Sequence, residues 1–181
     1  MARFERAPKR FSIAAIAVTV VAACAISHTI AAPPAVEVAP LPSADEARAR
    51  ARLLHETMHA TLQIVHHEYY REDEGLKIPA ATLQRVFREV GKRQKVELRW
   101  LAVNAQAMNA DHKPRDEFEK LAVEALSGGA NEYERIEDGS YRLASTITLT
   151  SDCLKCHAPT RTSNKALAAG LIITMPVQPK P

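Results

Sequence analysis

Cysteine is scarce in this chain: three in 181 residues, at positions 24, 153 and 156. Cys153 and Cys156 make one C-x-x-C pair and there is no second, which excludes a structural zinc site built from two such pairs. No βαβ pattern surrounds the pair, as a thioredoxin-like dithiol would require. Long apolar runs are also missing. Residues 11–23 carry no charge, but the run is short of the ~20 residues of a membrane span. An excess of one charge sign is missing as well. The chain holds 24 basic and 21 acidic residues, and its first 32 contribute four (Arg3, Arg6, Lys9, Arg10) and one (Glu5), which leaves 20 of each. That balance excludes the broad basic face that nucleic-acid binding needs.

What is present is Cys153-Leu154-Lys155-Cys156-His157. This is C-x-x-C-H, the attachment spacing of a c-type haem. The two thiols add across the vinyl groups of one porphyrin. The histidine directly after the second cysteine binds the iron as proximal ligand. One motif predicts one covalent haem c. With Cys153 and Cys156 so used, no structural disulfide is expected. No distal acid–base set can be assigned, which disfavours a haem enzyme such as a peroxidase.

The N-terminus reads as an export signal over residues 1–31, with a basic region followed by an apolar stretch. Val21-Ala22-Ala23-Cys24 is similar to a bacterial lipobox, in which Cys24 is lipidated and becomes the mature N-terminus. Thr29-Ile30-Ala31 is the competing site for ordinary cleavage, and an uncleaved anchor is the third reading. The lipobox is preferred because Cys24 is the one cysteine outside the haem motif. The expected location is the periplasm or the outer-membrane cell envelope. Residues 32–42 are rich in Pro and Ala, a semi-rigid tether. Residues 43–177 make one haem-binding domain, and 178–181 a frayed tail.

Within the domain, Ser43 and Glu46 form a capping box that opens a long helix running to about Glu72, with Gly75 beyond its end. At helical spacing Ala47, Leu54, Met58, Val65 and Tyr69 share a face, with Ala51 and Leu62 beside them and His55, His59 and His66 on the flank. A second helix starts at Pro79, lines one face with Leu83, Val86, Phe87 and Val90, and stops at Gly91. Residues 96–100 alternate as a strand, residues 104–114 form a polar loop, and residues 115–126 form a third helix. Asp138-Gly139 is a two-residue hairpin turn between residues 132–137 and 140–150. A buried strand over residues 169–175 closes the chain. Helices first and strands later predict an α+β fold with an antiparallel sheet and a long N-terminal helix.

The hairpin strand leading into Cys153–His157, then a loop, then the Gly-containing apolar strand 169–175, resembles the exported haem-c domains of PAS-like fold. So do residues 96–104 and the acidic-aromatic helix start Asp116-Glu117-Phe118-Glu119. The similarity covers residues 53–177. The resemblance implies a five- or six-stranded PAS-like sheet with haem held against it, and a redox- or gas-sensing role. Some members of that family use a cysteine as second axial ligand, for which this mature chain has none to spare. Others take a methionine from an N-terminal helix, which would match Met58.

The leading expectation is an exported monohaem cytochrome c domain that senses redox state or a small gas (O2, CO or NO). The alternative is a periplasmic electron carrier. No output domain follows Pro181, so sensing would pass through a separate redox or signalling protein. Side chains able to bind the iron opposite His157 are Met58, His55, His59, His66, His67, Met108, His112 and Met175. Met175 reads as core, and Met108 and His112 lie in a loop whose ordering costs entropy. Met58 is preferred for its place in the apolar stripe of a rigid helix.

Overall fold

The computed structural model describes residues 40–179. The expected signal segment with Cys24, the tether up to residue 39 and the last two residues lie outside the described residues. Among the described residues, no helix is long and apolar enough to cross a membrane.

Helix α1 spans Ala44–Tyr69. Its capping box forms as expected: the Glu46 N–H donates to Ser43 Oγ at 3.3 Å, and the Ser43 N–H donates to Glu46 Oε2 at 2.8 Å. Two orphan donors of the first turn are thereby satisfied. Helix α2 spans Pro79–Gln94 and passes through Gly91, the residue expected to stop it. A Cβ at Gly91 would sit 2.8 Å from the Val96 carbonyl oxygen, so glycine is there to admit the returning chain. The actual stop is Lys95, left-handed at φ 52°. Strand β1 (Glu97–Ala102), helix α3 (Glu117–Ser127) and the hairpin β2 (Glu132–Glu137) and β3 (Ser140–Thr148) follow. Asp138 and Gly139 both have positive φ, 49° and 70°, the geometry of the tight hairpin turn. A short helix α4 (Ser151–His157) carries the C-x-x-C-H motif, and strand β4 spans Ala168–Pro176.

The strands form one antiparallel sheet in the order β1-β4-β3-β2. The α+β class holds, but the sheet has four strands among the described residues, where the resemblance implied five or six. Strand β4 is central, pairing with β1 from Ala102↔Ala169 to Glu97↔Thr174 and with β3 from Thr148↔Ala168 to Ser140↔Pro176. Central position buries both its faces, which is why residues 171–173 are continuously apolar. Leu171 and Ile173 point into a core with Ala47, Ala51 and Leu62 of α1, Phe87 of α2, and Trp100, Tyr141 and Leu143. Ile172 points the other way, to Phe118, Ala122 and Leu126 of α3. The alanines of α1 let that long helix lie close to the sheet. Met175 is buried in the core, as its strand position predicts. The tail is less free than expected, because the Gln178 N–H donates to the Pro42 carbonyl at 2.9 Å.

Helix α3 is fixed by a buried charge cluster. Glu119 pairs with Arg99 of β1 and lies 3.7 Å from Arg142 of β3, whose guanidinium also pairs with Asp116 at 2.8 Å and Glu137 at 3.0 Å. Arg99 in turn donates to the carbonyls of Asp111 and Lys113, tethering the loop between β1 and α3.

Candidate cofactor site

Helix α4 lies in the connection between β3 and β4. On one helical turn, residues three and four apart share a face. Cys153, Cys156 and His157 therefore present their side chains together, and all three line one cavity. Neither thiol is in a disulfide. Thr150, at the N-terminal cap of α4, lies with its Oγ1 3.4 Å from Cys153 Sγ.

The cavity is walled mainly by apolar side chains: Leu62 of α1, Ile78 before α2, Trp100 of β1, Val103 after it, and Ile147 and Leu149 at the end of β3. His157 is held on one side by the loop after β1. Its Nδ1 is 3.3 Å from the Gln106 carbonyl oxygen, so Nδ1 carries the proton and donates. The Gln106 N–H donates back to the His157 carbonyl, also at 3.3 Å. With Nδ1 so engaged, Nε2 is the ring nitrogen left for a metal. A carbonyl acceptor on the second nitrogen is the arrangement that metal-binding histidines use. Two free thiols, an oriented imidazole and an apolar wall fit the haem expected from the motif. Cys153 and Cys156 could hold its two vinyl carbons, and His157 its iron.

The structure does not bring Met58 to this cavity. Met58 packs half-buried against the main core, beside Leu54. His55 is buried rather than solvated, with its ring 5.5 Å from that of His59. Its Nε2 has no hydrogen-bond partner among the described residues. His59 interacts with Gln63, and exposed His67 with Asp152 at 3.3 Å. The side chains that do line the cavity are His66, Met108 and His112. His66 is half-buried and stacks on Tyr70 with ring centroids 4.9 Å apart. Burial lowers its basicity, the Asp152 carboxylate opposing and His157 and Lys155 adding to the effect. His112 is likewise lowered by burial and then by Arg99, and its Nε2 is 3.0 Å from the Gln84 amide nitrogen. Met108 is half exposed. The helical spacing of α1 gave a stripe but not its end. The helix rests on the sheet as far as Leu62, and the next turn overhangs the cavity, so His66 meets space where Met58 meets core.

A family model for Tll0287-like proteins matches residues 42–172, from the start of α1 through α4 into β4. The chain belongs to the Tll0287-like family. Among solved structures, the crystal structure of the cyanobacterial haem protein Tll0287 matches with a TM-score of 0.56 and 14% identity. The match covers 75% of this chain and 98% of that one. At that identity the likeness establishes the shared fold. No curated protein matches the chain. The Tll0287-like match spans both the helix that carries His66 and the helix that carries Cys153, Cys156 and His157.

Proposed function

We propose that residues 43–177 bind one haem c and that the chain is an exported haem sensor of redox state or of a small gas such as O2, CO or NO. The observation that carries this reading is the convergence of Cys153, Cys156 and His157 on one apolar cavity, with His157 Nδ1 tied to the Gln106 carbonyl. Membership of the Tll0287-like family and the fold shared with a haem protein support it. Each thiol adds across a vinyl group, sulfur to one carbon and hydrogen to the other, so attachment needs no oxidant. Bound there, haem supplies an iron whose ligand field and oxidation state the cavity reads out. The signal over residues 1–31 takes the chain to the periplasm or cell envelope, with a lipid on Cys24 as its membrane anchor. A redox or signalling protein receives the output.

In this reading His66, rather than Met58, would be the second side chain to hold the iron. His66 lines the cavity from α1, half-buried and stacked on Tyr70. The Gln84 amide already engages His112. Two imidazoles on the iron hold a lower potential than imidazole with thioether. The same observation favours the second reading, a periplasmic electron carrier, because a filled sixth position suits electron transfer. For sensing, His66 would have to yield its place to the gas.

The test is the optical and resonance Raman spectrum of protein matured in an export host, with and without CO and NO. Haem resistant to acid-acetone extraction and lost in Cys153→Ala/Cys156→Ala is expected. A colourless or extractable product refutes the site. Gas binding to the ferrous iron supports the sensor, and an inert six-coordinate iron the carrier. In His66→Ala the ferric low-spin spectrum should become high-spin, while Met58→Ala leaves it unchanged.

A further inference from the structure

The outward face of α1 is apolar where water would select for charge. Leu53 is 71% exposed and Ile64 60%. Exposed Thr57 and Ala60 lie between them, so the four recur at spacings of four, three and four residues. On an α-helix this draws one continuous stripe about 16 Å long. Singly exposed apolar residues need no explanation, but an aligned set does. The polar atoms near the stripe are already satisfied inside the helix. Thr57 Oγ1 donates to the Leu53 carbonyl at 2.8 Å, and Thr61 Oγ1 to the Thr57 carbonyl at 2.7 Å. Such a surface can be dried without stranding a hydroxyl. The opposite face of α1 is spent on the sheet through Ala47, Ala51 and Leu62. The helix thus has two apolar faces, and the described residues cover one.

We propose that the second face pairs with the same face of a second copy, the two α1 helices running antiparallel. Charge chooses both occupant and direction. Arg50 and Glu68 lie on the same flank of the stripe at opposite ends; Arg50 acts on Glu46 one turn away only through its field, and neither takes part in a close ion pair among the described residues. An antiparallel two-fold pairing sets Leu53 of each copy on Ile64 of the other, and Thr57 on Ala60. It also brings Arg50 of each copy beside Glu68 of the other, so two complementary pairs close the ends. A parallel two-fold pairing would set this flank of one copy on the opposite side of the seam from that of the other, leaving Arg50 without Glu68 across it. This inference does not depend on the haem reading.

The experiment is sedimentation equilibrium of the matured protein. A dimer is expected. Leu53→Glu/Ile64→Glu should give a monomer with an unchanged visible spectrum and circular dichroism, since both side chains lie outside the core. Arg50→Glu alone and Glu68→Arg alone should each weaken self-association about tenfold. The double charge swap should restore it, which a parallel pair could not do. The proposal is overturned by a monomer at every concentration, by a dimer that survives Leu53→Glu/Ile64→Glu, or by a charge swap that fails to restore. It is also overturned if the face instead holds a different protein.

Discussion

Glu119→Gln tests how the loop beneath the cavity is held. The Glu119 side chain is 3% exposed, and its partners Arg99 and Arg142 are 10% and 15% exposed, so solvent screens little of their interaction. Glu119 also accepts from the Arg115 N–H at 2.7 Å, at the entry to α3. Removing one member of a buried ion pair costs about 3–5 kcal/mol, because the other charge stays buried. Arg142 keeps Asp116 and Glu137, so the loss falls on Arg99 and the lower figure, about 3 kcal/mol, applies. For a domain of this size that lowers Tm by roughly 6–12 °C. The assay is a far-ultraviolet circular dichroism melt of the matured protein. Glu117→Gln is the control, since Glu117 and its partner Lys120 are mostly exposed and 3.8 Å apart. Arg99→Met/Glu119→Leu should recover part of the loss, because it buries no unpaired charge, while giving up the Arg99 bonds to the Asp111 and Lys113 carbonyls and the Glu119 bond to the Arg115 N–H. A Glu119→Gln melt that overlays the control would refute the reasoning. So would a double variant less stable than the single one.

Gly91→Ala should destabilise despite the better helix propensity of alanine. The gain is about 1 kcal/mol, whereas the new methyl must push the Val96 carbonyl away from 2.8 Å at a cost of about 1–3 kcal/mol, and urea denaturation reads the balance. The Arg48 hydrogen bond, with help from the Tyr141 hydroxyl, holds the Glu134 carboxyl below the usual carboxylate range. A folded-state pKa that is depressed adds stability above the unfolded value and loses it as pH falls through the folded one. The stability gap between wild type and Glu134→Gln should therefore be constant near neutrality and shrink on acidification below the ordinary carboxylate range. A gap that widens in acid would contradict the assignment.

The local features of this fold were legible in the sequence because their signals are local. Ser43 with Glu46, Pro79, Asp138-Gly139 and Cys153–His157 each specify their geometry within five residues. What escaped was long-range. Gly91 looked like a stop because the carbonyl it makes room for belongs to Val96, beyond the helix. His55 looked solvated because a helical stripe does not reveal how wide a face the sheet covers. That His66 lines the cavity and Met58 does not is likewise invisible in the sequence, because periodicity ranks residues around a helix and says nothing of where along it the sheet ends. The short helix carrying the motif gave no periodic signal, being only two turns of mostly polar residues.

The motif segment leaves the sheet at Thr148 and returns at Ala168, which are direct partners in the β3–β4 ladder, with the Leu149 N–H donating to the Leu167 carbonyl at 3.2 Å just beyond. The stretch between is a side excursion whose two feet stand together. A substitution within it therefore leaves every strand pair of the β3–β4 ladder in place. The ladder thus closes without any contribution from Cys153, Cys156 or His157, and the sheet does not depend on the chemistry those three side chains carry.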